Sequence, residues 1–111
     1  MMSIEHGVPF RAEVERRNNV SIVRLSGELD LARIAELEQA LAVARSEPAA
    51  EMIIDLGSMT FIDCSGLRAL VVAERAGREG DATVKFIAGP PNVQRVFEIT
   101  AVDRQLDWVT E

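Results

Sequence analysis

The sequence predicts a single small α/β domain, with a mixed β-sheet of four to five strands packed against helices in the order ββαβαβα. Three observations predict it. The chain has 111 residues, which suits one hydrophobic core, and 48% of them are hydrophobic, enough to fill that core. Short apolar runs alternate with segments of helical periodicity, as in strand–helix–strand units with parallel strands. No linker-like stretch divides residues 1–111, so we expect one domain.

The first predicted element is a β-hairpin. In PFRAEVERR, Phe10, Ala12 and Val14 alternate with charged residues, and a period of two indicates a half-buried strand. Asn18 and Asn19 follow, and asparagine tolerates the left-handed backbone of a tight turn. The run VSIVRLSG is then the second strand. Residues 1–7 carry no such pattern, and we expect a loosely ordered leader there.

A helix is predicted after the second strand. Asp30 is a suitable N-cap for a helix that starts at the next residue. The apolar side chains recur at helical spacing and predict one inward stripe, which consists of Leu31, Ile34, Leu37 and Leu41. The helix is expected to end near residues 46–48, where a proline follows.

The second half of the chain predicts the rest of the sheet. Residues 52–56 form an apolar run typical of a central strand that is covered on both faces. Residues 67–76 predict a helix whose end is marked by Gly77 and Gly80. The run TVKFIA is the next strand.

The last elements follow a proline-containing loop. Pro91 stands where helices begin, and Val93, Val96 and Phe97 are the expected inward face of that helix. The tail DRQLDWV is either a last strand or a packed segment, with Trp108 against the sheet.

Composition excludes several classes of function. A net charge of −6 gives an acidic surface that repels phosphate backbones, so we expect no DNA or RNA partner. A single cysteine forms no disulfide within the chain, which suits a reducing cytoplasm. No signal-peptide core and no apolar run near the roughly 18 residues of a membrane helix is present, so we expect a soluble cytoplasmic protein without membrane insertion.

We find no pattern of an enzyme, a cofactor site or a metal site in the sequence. His6 stands in a polar segment without cysteine or histidine companions, which argues against a metal ligand. No nucleophile, base and pocket constellation accompanies the acidic residues.

The segment MTFIDCSGLRALV places Asp63, Cys64, Ser65 and Gly66 at the start of a predicted helix. Helix N-termini expose N–H groups and a partial positive charge, which favour a bound anion and lower the pKa of a thiol. Gly66 would leave room for an anion such as a phosphoryl group on a hydroxyl, whereas the charge of Asp63 opposes it. The alternative interpretation has no bound anion: the aspartate and serine are helix caps, and the glycine only allows the turn.

Three segments carry a family resemblance. TFIDCSGLRALV resembles the signature of STAS domains, the family of bacterial anti-sigma factor antagonists. LSGELDLA resembles the family's loop between the second strand and the first helix. VQRVFEITAVDRQL is similar to a third landmark, with Ala101 and Val102 in place of Gly–Leu. The resemblance covers about the whole chain and implies the STAS fold.

The resemblance also implies a function and partners. Such antagonists bind an anti-sigma factor, a serine kinase that itself binds ATP through the fold of histidine kinases and Hsp90, and so release a sigma factor for RNA polymerase. The kinase ends the contact by phosphorylating the antagonist, and a phosphatase restores it. The expected partner surface is residues 63–67, namely Asp63, Cys64, Ser65, Gly66 and Leu67, together with Glu28 and Asp30 on the neighbouring loop.

The sequence departs from the family at the phosphoacceptor. The acceptor follows the aspartate directly, and that position is Cys64, which a serine kinase is not expected to phosphorylate. Ser65 is the adjacent hydroxyl, turned by about 100° along a helix. Three interpretations stay open: a constitutive antagonist, a thiol oxidation sensor, or an inert Cys64 with Ser65 as a substitute acceptor.

Two other function classes compete. STAS-like accessory subunits of lipid-transport ABC complexes also lack the acceptor serine, although the DCSGL pattern favours an antagonist. A weak binder of small molecules or nucleotides ranks last, because no ligand-specific constellation is visible.

Overall fold

The computed structural model describes residues 8–109 and confirms a small α/β domain. Residues 1–7, with the predicted leader and His6, lie outside the described part. In chain order the elements are β1 Arg11–Arg17, β2 Val20–Leu29, a 3-10 turn Leu31–Arg33, α1 Ile34–Arg45, β3 Glu51–Ile62, α2 Cys64–Glu79, β4 Thr83–Ile87, α3 Pro91–Ile99, a 3-10 turn Val102–Gln105 and β5 Asp107–Trp108. The predicted order is confirmed, and β5 adds one short strand.

The five strands lie in the sheet in the same order as in the chain. β1 pairs with β2 antiparallel, and each later pair is parallel. The predicted hairpin is confirmed, since Asn18 takes a left-handed backbone with φ of 53° at its turn.

One face of the sheet carries the hydrophobic core. In β3, Met52 and Ile54 are buried, whereas the alternate residues Glu51, Ile53 and Asp55 are only half-buried. The expectation of a strand covered on both faces is therefore wrong. Parallel crossovers are right-handed in nearly all proteins, and each one here moves to the next strand on the same side. All three helices consequently lie on one face.

The start of α1 differs from the prediction. A 3-10 turn precedes the α-helix, and with three residues per turn it rotates Leu31 off the inward stripe. Leu31 is 72% exposed, so its predicted inward position is wrong. The buried side of α1 is formed by Leu37, Ala40, Leu41 and Ala44, and the helix ends at Arg45, as expected.

The α2 helix is longer than predicted at both ends. It begins at Cys64, and Gly80 is its C-cap, as expected. Gly77, predicted to mark the end, lies inside the helix. A Cβ atom there would stand 2.5 Å from Cγ2 of Val84, so the glycine allows close packing on β4.

The C-terminal part closes the core with aromatic side chains. Val93 and Phe97 of α3 are fully buried, which confirms their predicted inward positions. Trp108 lies 5.6 Å from Phe86 and 5.4 Å from Phe97 between ring centroids, and its indole N–H donates to the carbonyl of Asp103. The tail is thus both a short strand and a packed segment.

Candidate functional site

The two predicted parts of the site meet at one edge of the sheet. β2 and β3 are parallel, so their carboxyl ends lie side by side, with Leu29 paired to Ile62. The N–H of Asp63 donates to the carbonyl of Leu29 at 3.2 Å, which ties the start of α2 to the end of β2. Glu28 and Asp30 therefore lie beside residues 63–67, as the family resemblance implied.

Asp63 caps α2. Its backbone is extended, and its Oδ1 accepts the N–H of Gly66 at 2.9 Å. This bond satisfies one of the amides that a helix N-terminus leaves without partners. The protein's own carboxylate thus takes one N–H of the helix N-terminus, and the interpretation of Asp63 as a cap is confirmed.

Gly66 has a packing role. It is buried, and a Cβ atom would stand 2.8 Å from Cγ of Leu29 and 3.0 Å from Cγ1 of Ile62. The suggestion that Gly66 leaves room for an anion is therefore wrong, because the missing side chain faces the core. The glycine lets the first turn of α2 sit directly on the ends of β2 and β3.

Cys64 and Ser65 differ in accessibility. Cys64 is exposed, whereas Ser65 is half-buried. One step along a helix turns the side chain by about 100°, which accounts for the difference. Leu67 is 5% exposed and belongs, like Gly66, to the core beneath the predicted partner surface.

The acidic residues beside this helix occupy different elements. Glu28 is in β2, where it pairs with Phe61, and not on a loop as expected. Asp30 stands at the predicted cap position, but its side chain makes no capping hydrogen bond. Its Oδ1 is buried and has no hydrogen-bond partner within residues 8–109.

Two exposed apolar side chains also belong to this edge of the sheet. Phe61 is 45% exposed beside Glu28, and the exposed Leu31 follows Asp30. Neither apolar side chain was predicted to be part of the site. The one available signal was the alternation of side chains along β3, which could have indicated that Phe61 points away from the core. We define the junction surface as Glu28, Asp30, Leu31, Phe61 and Cys64.

A groove of about 730 Å³ runs from this surface between α1 and α2. It is lined on the α1 side by Leu31, Ile34, Glu38, Leu41 and Arg45, and on the α2 side by Cys64, Ser65, Arg68, Ala69, Val72, Ala73 and Ala76. Sequence reasoning missed this groove. The small side chains of α2 were its signal, since alanines beside a neighbouring helix leave space between the two.

Arginine side chains line the groove on both helices, Arg45 on α1 and Arg68 on α2. Arg45 and Arg68 form no ion pair in the part of the chain that the structure describes, whereas Arg33, for example, pairs with Glu36 at 3.1 Å. Within residues 8–109 no group of three metal-ligand side chains occurs. None of the described helices is both long and apolar enough to cross a membrane.

Comparison with known proteins connects this geometry to a family. The family model described as the STAS domain matches residues 11–110. The anti-sigma-B factor antagonist of Staphylococcus epidermidis is 28% identical over 80 residues, which cover 72% of this chain and 74% of that protein.

Solved structures show the same fold. An anti-sigma factor antagonist from Mycobacterium paratuberculosis matches with a TM-score of 0.82 at 25% identity, over 93% of this chain and 87% of that chain. The unphosphorylated anti-sigma factor antagonist SpoIIAA matches with a TM-score of 0.74 at 19% identity, over 91% of this chain and 90% of that chain.

Proposed function

We propose that this chain, which belongs to the STAS domain family, is an anti-sigma factor antagonist that works by protein–protein contact in the cytoplasm and catalyses no reaction. It binds an anti-sigma factor of the serine-kinase type, which itself binds ATP, and so releases a sigma factor. Relatives named as anti-sigma factor antagonists support this proposal.

The junction surface is the observation that carries the proposal. Two exposed apolar side chains each stand next to an acidic residue, since Leu31 follows Asp30 in the chain and Phe61 pairs with Glu28 across two strands. Apolar side chains within a charged rim are typical of protein–protein interfaces. Asp30 adds a half-buried carboxylate that makes no capping hydrogen bond, so its solvent-facing side is available to a donor from a bound protein.

Cys64 makes the antagonist independent of phosphorylation. The family's acceptor position is exposed at the start of α2, where a kinase can reach it, but it carries a thiol. Ser65 is half-buried and faces the groove, so it is the poorer acceptor. The protein therefore stays competent to bind its partner, and a phosphatase has no substrate at residue 64.

The test is to express the chain with the serine-kinase anti-sigma factor of the same organism and to record complex formation and intact mass. We expect a stable complex with no added phosphate. A phosphate mapped to Ser65 would contradict the phosphorylation-independent role but keep the antagonist role. Absence of any complex would contradict the antagonist role itself.

A Cys64→Ser variant sharpens this test. We expect the kinase to phosphorylate residue 64 of the variant, and the added charge of about −2 to weaken the complex at least tenfold. Cys64→Ala is the matched control, which removes the thiol but offers no hydroxyl, and it should bind like the natural chain. Equal affinities for the phosphorylated variant and the control would contradict the assignment of residue 64 to the interface.

The second candidate is an accessory subunit of a lipid-transport ABC complex. The missing hydroxyl at Cys64 supports it, since such subunits lack the acceptor serine. Co-purification with a permease and its ATPase, without a kinase, is the result that would favour it over the antagonist role.

A further inference from the structure

We infer that the groove between α1 and α2 is a binding site for a small amphipathic carboxylate of the fatty-acid class. This inference goes beyond the antagonist role, because it concerns the chain on its own. It rests on the size of the groove, the chemistry of its lining and the charges around it.

The size of the groove favours a small ligand. Its volume of about 730 Å³ lies within the roughly 300–1,000 Å³ of small-molecule sites. α1 and its preceding turn span residues 31–45, which gives a length of about 20 Å. A partner helix about 10 Å across and 20 Å long would take up roughly 1,600 Å³. Such a helix would protrude by half, whereas an extended alkyl chain would fit along the floor.

The lining is apolar over most of its length. Ile34 and Leu41 of α1 face Ala69, Ala73 and the 60% exposed Val72 of α2. Covering this strip with an alkyl chain would remove apolar surface from water, at about 25 cal/mol per Å². The body of the expected ligand is therefore a hydrocarbon.

The polar end of the ligand is set by two side chains near Cys64. Arg68 lies one helical turn after Cys64, so both point to the same side of α2. Its guanidinium forms no ion pair with any residue from 8 to 109, although the chain as a whole carries a net charge of −6. The Ser65 hydroxyl beside it donates no hydrogen bond in the described part of the chain. A guanidinium and a hydroxyl bind a carboxylate through charge-assisted hydrogen bonds.

The charges of the remaining lining agree with an anion. Arg45 stands at the far end of the groove, and Glu38 is the one acidic residue among the lining residues. Two arginines against one glutamate make this a cationic strip on an acidic protein. A cationic or zwitterionic amphiphile would meet like charge at Arg68.

The experiment is a titration of the purified chain with decanoate, below the concentration at which it forms micelles, followed by calorimetry and amide NMR. We expect saturable binding with shifts confined to the facing sides of α1 and α2. Decanol, the uncharged analogue, should bind at least about tenfold more weakly.

Variants locate the site. Arg68→Gln should weaken decanoate about tenfold while leaving decanol unchanged. Arg75→Gln is the matched control, since Arg75 is exposed on the same helix but does not line the groove. Ala69→Leu fills the floor and should abolish binding of both ligands, with its circular dichroism showing that it is folded.

Several outcomes would overturn the inference. One is equal affinity for decanoate and decanol, and another is an unchanged affinity for decanoate in Arg68→Gln. The others are NMR shifts outside the groove and binding only at micellar concentrations, which would be nonspecific association with micelles. Dimers that light scattering detects without ligand in the natural chain, and that are lost in Ala69→Leu, would assign the groove to a second copy of the chain. Because decanoate binding needs no anti-sigma factor, its failure is distinguishable from a failure of the proposed antagonist role.

Discussion

Two strand-to-helix junctions lie side by side in this domain, and each begins with an aspartate. The backbone of Asp63 has φ −106° and ψ −177°, and that of Asp30 has φ −135° and ψ −176°. Residue type and backbone are thus nearly the same. Yet Asp63 accepts the N–H of Gly66, while Asp30 makes no capping bond and buries an oxygen without a partner in the described residues.

The difference arises from the turn that follows each aspartate. After Asp63 the chain enters an α-helix directly, and the carbonyl of Asp63 takes the N–H of Leu67, which leaves the N–H of Gly66 for the side chain. After Asp30 the chain makes a 3-10 turn, and the carbonyl of Asp30 itself takes the N–H of Arg33 at 3.0 Å. The third amide is then no longer available to the carboxylate. The junction at Asp63 is therefore structural, whereas the carboxylate of Asp30 is not used in capping and is available to a binding partner.

The largest effect should come from breaking the packing of the structural junction. Gly66→Ala pushes a Cβ atom against the buried Leu29 and Ile62, and we expect a loss of about 2 kcal/mol in the free energy of unfolding. Urea denaturation measures it. Gly80→Ala is the control, because its nearest atom would be 3.6 Å away. Equal losses in the two variants would show that close packing at Gly66 is not what the junction needs.

The next largest effect should appear at the Asp30 junction, in the affinity for the anti-sigma factor. Under the proposed function, Asp30→Ala should weaken the complex with the anti-sigma factor about tenfold, or about 1.4 kcal/mol. Surface plasmon resonance measures the dissociation constant. Glu36→Ala is the control, since Glu36 is an exposed acid on α1 outside the junction surface. A similar loss in both variants would point to general electrostatics instead of a specific contact.

A smaller effect separates the two aspartates in stability. Asp63→Ala should cost about 1 kcal/mol, because it removes a working N-cap, and Asp63→Asn should retain most of that stability. Asp30→Ala should cost nothing or stabilise the domain, since it removes a buried acceptor without a partner in the described residues. Thermal and urea unfolding decide this, and a loss in Asp30→Ala equal to that in Asp63→Ala would contradict the comparison.

The smallest effect concerns an acid away from both junctions. Glu15 accepts hydrogen bonds from Arg24 and Arg17 on the exposed hairpin, and the bond from Arg24 is the main cause that holds the pKa of Glu15 below its ordinary value. A lowered pKa in the folded state adds stability above the ordinary pKa, and that stability is lost as the pH falls through the folded value. The melting temperature of the natural chain should exceed that of Glu15→Gln slightly near pH 7, and the gap should close in acid. A gap that widens in acid would contradict the sign.

Much of the fold could be predicted because its signals are local. The asparagine turn, the period-two strand of residues 10–14 and Pro91 at a helix start each act within a few residues, and all are confirmed. The neighbourhood of Glu28 and Asp63 was implied by the family resemblance, and its physical reason is that β2 and β3 are parallel and end side by side.

The errors share a different cause, which is dependence on non-local geometry. The exposure of Leu31 depends on a 3-10 turn that the sequence does not mark, and the packing role of Gly66 depends on which side chains meet it across two strands. The open side of β3 follows from the direction of the crossovers, and not from the residues of β3. The groove between α1 and α2 is likewise a property of two helices together.

The order of the strands has a consequence for how the chain folds. Every strand pairs with the one that precedes it in sequence, so each addition to the sheet joins a partner that has already been synthesised. Each parallel pair still closes a crossover between distant residues, such as the one through α1 between β2 and β3. No later strand, however, has to insert between two strands that are already paired. The domain can therefore assemble from its N-terminus while the ribosome is still translating the rest. On such a route the β1–β2 hairpin forms first and offers the edge to which β3 adds, and Trp108 is the last side chain to pack against the core.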